Sequence, residues 1–509
     1  MPTTRHSRAL VTLATLLGAL AAAVAAGPSA PAAPAPQRPN LVVIMTDDQA
    51  AGEIGAMPKT RRLLAGKGVS FERSYVSYPV CCPSRATFLT GQYAHNHGVM
   101  GLYPPTGGYG RFDKHNALPV WLRRSGYFTA HLGKFLNGYG DQQTADRPPG
   151  WSDWRATVDY STYSMWGYTL NENGRLKTYG RRFNENARWY QTDVLARKAT
   201  SIIKARSGQS PFFISLNLLA PHHESRAIQR RTGQVVRPAP RHRRAPVGLP
   251  ARAASFNERD ITDKPGFIRR RMRALRSRDV ARIQRIAVQR RRALLAVDDA
   301  VAQVVRTLRR TGELDETYIV FTSDNGYMQG EHRVRSGKML PYDPSTRVPL
   351  VIRGPGLPQG AVSRELVANV DLAPTLLDLA DAAPGKTVDG RSLLPFARHP
   401  GWRTRRAILH ETGGSRWVGL RGQDEAANGG RSLRRVLTYR AVRMPGWLYV
   451  RYHGGERELY DLRRDPHQLE SVHADRRYRR ARRVLGRELR RLARCRGEAC
   501  RRPAPRVPR

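Results

Sequence analysis

The sequence predicts an α/β protein: a large, mostly parallel central sheet flanked by helices, followed by a smaller C-terminal subdomain with an antiparallel sheet. Three observations carry this. Leu41 to Met45 is an unbroken apolar run that stops at Asp47 and Asp48, the pattern of a strand buried on both faces. Tyr318 to Phe321 is a second such run, stopping at Asp324, Asn325 and Gly326. Just before it, apolar residues recur at 294, 297, 301, 304, 305 and 308, which is helical spacing, and Gly312 fits the C-cap. Helix, turn, buried strand and acidic loop make a parallel-sheet unit. In such sheets ligands bind beyond the carboxyl ends of the strands.

The elements follow in chain order. Arg5 and Arg8 precede an apolar run over residues 9–26 that ends in small residues. This reads as a signal peptide over 1–26; the competing reading is a single membrane anchor. The run is mostly alanine and gives way to a Pro/Ala linker at 27–38, which favours cleavage. No other stretch is long and apolar enough to span a bilayer, so no stable membrane anchor is expected and the mature chain is expected outside the cytoplasm. Residues 39–404 read as the main domain. Within it, Phe212 to Leu219 is a third strand, with His222 and His223 just past its end. Residues 225–270 are Arg/Pro-rich and read as an irregular surface excursion, and "NVDLAPTLLDLA" at 369–380 reads as a core helix. From 405 to 509 the pattern shifts to shorter alternating runs such as "RAVRMPGWLYVRYH". A Gly/Asn-rich turn at 428–430 and a basic terminal helix complete this C-terminal subdomain.

The chain carries 87 Lys and Arg against 41 Asp and Glu, a net charge of +46. One reading is attraction to polyanions such as sulfated glycans; the other is a solvated basic surface, since the charge is spread along the chain. No helix-turn-helix, zinc-finger or RNA-binding signature accompanies it, so specific nucleic-acid recognition is not expected. Of four cysteines, Cys495 and Cys500 have the spacing of a small disulfide loop outside the cell. Cys81 and Cys82 are adjacent, and ordinary disulfide geometry holds the two Cα atoms further apart than neighbours lie.

Asp47, Asp48, Asp324 and Asn325, all at strand ends, form a hard oxygen set suited to Ca²⁺ or Mg²⁺. Taken alone, each pair is also ordinary turn text. In "CCPSRATFLTG", residues 81–91, Pro83 stiffens the chain, Arg85 is permanently charged, and Thr87 to Leu89 reads as the start of a helix. A thiol beside a cation and a helix N-terminus is expected to be acidified; the alternative is a buried structural cysteine.

The same stretch resembles the Cys-x-Pro-Ser-Arg-x-x-x-Leu-Thr-Gly signature of the type I sulfatases. "GYFTAHLGKF" at 126–135 resembles the family's second signature, and the strand ending in two Asp, "PH", "SDNG", "GK" and "RVPL" follow in the family's order. The resemblance runs from about residue 40 to 400, with a further match in "ELYDLRRDP" at 458–466. It implies an alkaline-phosphatase-like fold and sulfate ester hydrolysis. A maturation enzyme would convert Cys81 to Cα-formylglycine, leaving Cys82 as packing. One hydroxyl of the hydrated aldehyde, activated by the metal, attacks sulfur; the second lets the adduct collapse and release sulfate. By position, Asp47, Asp48, Asp324, Asn325 and modified Cys81 correspond to the Ca²⁺ ligands. Arg85 corresponds to the residue that holds the hydrate, Lys134 and Lys338 to sulfate binders, and His222 to the group that stabilises sulfate or protonates the leaving oxygen. His223 takes that place if the alignment slips by one.

One departure stands out. Many arylsulfatases read Gly-Lys-x-His at the second signature, and this chain has Leu136 there, followed by Asn137. "GKFLNGYG", "QYAHNHGV", "PPGWSDW" and "YTLNENG" resemble the N-acetylglucosamine-6-sulfatase branch and its endosulfatase relatives. That implies a sulfated carbohydrate or aryl sulfate substrate. The alternatives are a phosphomonoester or phosphodiester hydrolase of the same superfamily, and a polyanion-binding protein without catalysis.

Overall fold

The structure is a computed structural model that describes residues 38–141, 146–209, 211–413 and 438–508. The expected signal peptide, nearly all of the Pro/Ala linker and the turn at 428–430 lie outside the described residues.

Among the described residues, ten strands form the main sheet: β1 Asn40–Thr46, β2 Val69–Tyr75, β3 Phe128–Gly133, β4 Asp153–Thr157, β5 Tyr168–Glu172, β6 Arg175–Tyr179, β7 Phe212–Asn217, β8 Thr317–Ser323, β9 Leu350–Arg353 and β10 Ala361–Ala368. Their order is β10-β2-β9-β8-β1-β7-β3-β4-β5-β6. The central run β8-β1-β7-β3-β4 is parallel throughout, β10 pairs parallel to β2, and β9, β5 and β6 run antiparallel to their neighbours. β1 is buried at all seven positions, as its apolar run requires in the middle of a sheet covered on both sides. Two apolar clusters lie on its two faces, one with Leu41, Val43 and Met45, the other with Val42 and Ile44.

The second sheet is antiparallel, ordered β11 Ile408–Glu411, β12 Tyr439–Met444, β13 Trp447–Tyr452 and β14 Arg457–Asp461. The basic terminal helix Arg479–Leu492 packs Ala481, Leu485 and Leu489 onto one face, against Val442, Tyr449 and Leu459. Cys495 and Cys500 form a disulfide.

Three local expectations change. The helix before β8 spans Ser277–Arg310 and starts well ahead of Leu294, because Ile283, Ile286, Ala287 and Arg290 continue its buried stripe. The expected core helix begins as a single turn at Asn369–Asp371 and becomes α-helical over Leu372–Leu379. The segment 225–270 is irregular, but not wholly superficial. Arg237 is buried, and its guanidinium donates to both oxygens of buried Glu224 at 2.6 and 2.7 Å. A charged residue enters the interior because its partner is already there.

Candidate active site

Four parallel strands, β8, β1, β7 and β3, lie side by side and deliver their carboxyl ends to one place. β1 presents Asp47 and Asp48, β8 presents Asp324 and Asn325, β3 presents Lys134, and the loop after β7 presents His222. Gly133 is needed where β3 meets β7: its φ is +92°, and a Cβ there would lie 1.9 Å from the Asn217 carbonyl oxygen. Asp48 itself sits at φ +65°, a conformation that non-glycine residues adopt at a cost and that concentrates at functional sites.

The helix Cys81–Thr90 points its first residue into this cluster. It begins at the cysteine, earlier than Thr87. Its N-cap is Val80, which offers no capping side chain. The entry is fixed instead by tertiary bonds. Ser84 Oγ donates to the Asp324 carbonyl, and Asn369 Nδ2 donates to Ser84 Oγ at 2.9 Å. Cys81 Sγ lies 3.4 Å from Asp47 Oδ1 and 2.9 Å from Lys338 Nζ. Arg85 donates through Nε to Asp324 Oδ2 at 2.8 Å and through one terminal nitrogen to the Lys134 carbonyl at 2.7 Å. Lys134 Nζ is 2.6 Å from Asp47 Oδ2, and Lys338 Nζ is 2.5 Å from Asp48 Oδ1. Every one of these side chains is buried.

Burial alone would push Asp47 and Asp48 upward. For Asp47, Lys134, His222, Arg85 and Lys338 together outweigh burial and hold its carboxyl well below the usual range. Lys338 and His222 do the same for Asp48. Asp324 goes the other way, raised by burial and by Asp47. Lys338 stays charged: burial opposes this, but Asp48, Cys81 and Asp47 push its pKa well up. Cys81 overturns the expected acidification. Burial and then Asp47 raise its thiol well above the ordinary value, against Lys134 and Lys338. As a thiol it is a neutral, weak nucleophile. Cys82 is buried too, pushed up to about 12 by burial, which fits packing.

The predicted site residues Asp47, Asp48, Cys81, Arg85, Lys134, His222, Asp324, Asn325 and Lys338 therefore fall within one connected set of contacts. Ligand atoms of Asp47, Asp48, Cys81 and His222 lie within 4.8 Å of one another, close enough to share one cation. Asp324 and Asn325 join through Asp48: its amide donates to Asp324 Oδ1 at 3.1 Å, and Asn325 Nδ2 donates to Asp48 Oδ1 at 2.6 Å. Asn325 Oδ1 is buried with no hydrogen-bond partner among the described residues. Such an orphaned oxygen calls for an explanation, and a hard cation among carboxylates supplies one. His222 rather than His223 faces the cluster: its Nδ1 donates to the His223 carbonyl at 2.6 Å, leaving Nε2 3.6 Å from Asp48 Oδ2. His223 stacks edge-on to Tyr327, and burial and then Arg290 drive its pKa well down. Leu136 points into the apolar core, so that position brings no group to the site.

Sequence reasoning missed two participants. Tyr163 lays its ring 4.7 Å from Lys134 Nζ and 5.1 Å from the His222 ring; nothing in its local sequence marks it. Arg290 is fully buried, donating to Glu53 Oε1 and Oε2 at 2.9 and 2.6 Å, to the Asp48 carbonyl at 2.5 Å and to the Pro221 carbonyl at 3.2 Å. Its signal was present: it sits four residues from both Ile286 and Leu294 on the apolar stripe of its helix.

Comparison with known proteins matches residues 39–382 to the family model described as Sulfatase. The chain is 36% identical to N-acetylglucosamine-6-sulfatase from Homo sapiens over 374 residues, 71% of this chain and 65% of that protein's length. It is 32% identical to arylsulfatase from Volvox carteri over 509 residues, covering 92% of this chain and 76% of that one. Among solved structures, that of BT4656 in complex with its substrate D-glucosamine-2-N,6-O-disulfate superposes with a TM-score of 0.71 at 21% identity, over 91% of this chain and 98% of that one. The phosphonate monoester hydrolase from Silicibacter pomeroyi gives 0.64 at 23%, over 90% and 94%. At those identities the structures speak for the alkaline-phosphatase-like fold alone. The family match is broader evidence, because its span takes in all the residues gathered around Cys81 as well as the strands that bring them there. On that ground the chain belongs to the sulfatase family.

Proposed function

We infer that this protein is a secreted hydrolase of sulfate monoesters on a sugar hydroxyl, of the N-acetylglucosamine 6-sulfate or glycosaminoglycan-like kind, in which Cys81 matured to formylglycine acts beside one Ca²⁺. The observation that carries the reading is the position of Cys81: first in its helix, with its sulfur 2.9 Å from Lys338 and 3.4 Å from Asp47, inside a hard-oxygen cluster. Asp47, Asp48, Asp324 and Asn325 would hold the cation together with residue 81. The bound ion would supply positive charge to the sulfate oxygens and to the nucleophile.

The chain's own residues divide the remaining work. Arg85, fixed by Asp324 and the Lys134 carbonyl, orients residue 81. Lys134 and Lys338 present fixed positive charge to the sulfate oxygens, in a buried site where such charge acts strongly. His222, tethered at Nδ1, turns Nε2 toward the cluster, where it would serve the leaving alcohol oxygen. Burial and Asp47 raise the Cys81 thiol, and a thiol has no second hydroxyl through which an adduct could collapse, which supports a need for maturation by a formylglycine-generating enzyme. The name of the human relative supports the sugar 6-sulfate assignment. The division into a signal peptide at 1–26, a linker at 27–38, a catalytic domain at 39–404 and a C-terminal subdomain at 405–509 belongs to the same reading. No helix among the described residues is long and apolar enough to cross a membrane.

The phosphonate hydrolase neighbour keeps phosphoester hydrolysis as the second reading. The test is mass spectrometry of the peptide Ser74–Arg85 from secreted protein, paired with turnover of an aryl sulfate and an aryl phosphate. Residue 81 is expected to have lost its sulfur and to react with a hydrazide, with the sulfate preferred. Two intact thiols from a host that matures sulfatases, or preference for the phosphate, would overturn the assignment.

A further inference from the structure

The small sheet carries a feature that hydrolysis at Cys81 does not use. Arg440 on β12 lies directly opposite Arg451 on β13, and Arg451 lies directly opposite Arg457 on β14. All three are exposed. They stand on the face that also holds Val442, Tyr449 and Leu459, one row beyond the apolar contact with the helix Arg479–Leu492. Like charges directly opposite each other destabilise a sheet, and here the conflict occurs twice in a row. With strands about 4.8 Å apart, the row spans about 10 Å.

The relief among the described residues is slight. Glu411 on β11 continues the row and approaches Arg440 at 3.9 Å, but its other oxygen is 2.9 Å from His95 Nδ1. Arg451 and Arg457 have no carboxylate partner among the described residues. The helix adds to the charge instead of cancelling it. Arg490 lines a cleft of about 460 Å³ together with Arg440 and Arg451, and Arg482 lines one of about 650 Å³ together with Arg457, where Asp263 is paired with Lys264 at 3.0 Å and Glu456 accepts from the Gly266 amide at 2.6 Å.

We propose that the Arg440–Arg451–Arg457 row, flanked by Arg482 and Arg490, is an exosite that binds a sulfated polysaccharide chain. The proposal deepens the sulfatase reading and rests on it. Guanidinium groups suit oxyanions, presenting a planar fork of donors with modest hydration, and a row of them suits a chain with repeated anionic groups. The row also starts near the chemistry: the Glu411 amide donates to the Ser77 carbonyl at 2.9 Å, four residues before Cys81. A nucleic acid fits less well. Single strands need exposed aromatic platforms, and no exposed large aromatic lies on these strands or on this helix.

The experiment compares the full chain with Arg440→Ala/Arg451→Ala/Arg457→Ala and with a control of equal charge loss, Arg123→Ala/Arg124→Ala/Arg310→Ala, at exposed positions outside the small sheet and its helix. Each protein is titrated with a size-defined heparin octasaccharide at several salt concentrations, and assayed on a chromogenic aryl sulfate. The row variant is expected to bind about tenfold more weakly at physiological salt and to lose about two units of the log–log salt slope, while the control shifts less than about twofold. Both should turn over the small aryl sulfate as the unaltered chain does. The row variant should also melt no lower than the unaltered chain, because facing like charges have been removed. Equal weakening in row variant and control would overturn the proposal, as would unchanged binding by the row variant. So would displacement of the octasaccharide by a DNA strand of similar length at equal or lower concentration. Failure of the sulfatase reading would show separately, as no aryl sulfate turnover by the unaltered, matured chain.

Discussion

Replacing Arg290 by Met should damage both stability and turnover, for one structural reason. Arg290 is fully buried and bridges three segments: Glu53 through two hydrogen bonds, the carbonyl of Asp48, and the carbonyl of Pro221, next to His222. Met fills a similar volume but leaves the Glu53 carboxylate buried, with the Ala50 amide at 3.0 Å and Gln329 Nε2 at 3.3 Å as its remaining donors. Removing one partner of a buried ion pair costs about 3–5 kcal/mol. The Asp48 backbone would also lose its anchor, and misplacement of a catalytic group by about 1 Å costs roughly a hundredfold in rate. Urea unfolding of the matured protein should show the stability loss, and aryl sulfate turnover well below the unfolding range should show the rate loss. Combining Arg290→Met with Glu53→Gln should recover about 1–3 kcal/mol relative to the sum of the single variants, since the two side chains share one interaction. An Arg290→Met protein within about 1 kcal/mol of the unaltered chain and fully active would refute the reasoning.

Acid should unfold the protein early. Burial, helped by Arg85 for His131 and Arg443 for His410, holds these histidines neutral, down to about 3 and about 4. The unfolded chain takes up those protons near pH 6.5, so stability falls as pH drops below that value, by about 2 kcal/mol per histidine at pH 5. His131→Phe, in a nest of Phe135, Trp151 and Trp154, should flatten the dependence of unfolding free energy on pH by about 1.4 kcal/mol per unit; an unchanged slope would count against it. Chelation of Ca²⁺ should abolish turnover, and readdition at a hundred times Kd should raise Tm by about 3 °C. Asn325→Ala should weaken that response, and calorimetry showing the same Ca²⁺ affinity would remove Asn325 from the ligand set. Lys338→Ala should cut kcat/KM by at least about a hundredfold, read by steady-state kinetics on aryl sulfate, because Lys338 sits against both Asp48 and Cys81.

The main sheet and the carboxylates gathered at its strand ends were legible in the sequence because one physical event marks them: an apolar run long enough for a buried strand stops at acidic residues. β1 and β8 are adjacent in the sheet, with Leu41 opposite Tyr318 and Thr46 opposite Ser323, so their acidic ends had to meet. Features that depend on partners distant in the chain were not legible. The start of the helix at Cys81 has no capping residue to announce it and rests on Asp324 and Asn369. The state of Cys81 stays open in the sequence between an acidified thiol and a buried one, because nearby cations favour the first, while burial and Asp47 prevail only in the fold. The 225–270 excursion looked superficial because arginine is a surface residue by default, and Glu224 stands thirteen positions from the Arg237 it buries.

That last case extends to all the described residues and separates two populations of arginine. The buried ones are matched: Arg85 with Asp324, Arg237 with Glu224, Arg290 with Glu53, Arg406 with Asp371, and Arg443 with Asp343. Desolvation enforces this, since an unpaired buried guanidinium would cost several kcal/mol. The candidate site obeys the same rule, with Asp47, Asp48 and Asp324 set against Arg85, Lys134 and Lys338. Its local charge is close to balanced even though the chain as a whole carries +46. With 41 acids against 87 bases, each interior pair removes one acid from the supply, so the excess must collect on the surface. Most of that surplus is solvated and separated, and says nothing about a ligand. The arginine row on β12, β13 and β14 differs because the sheet register forces its members into facing positions. Net charge alone therefore could not distinguish a basic surface from a binding site; the distinction lies in register, which appears only once the strands are paired.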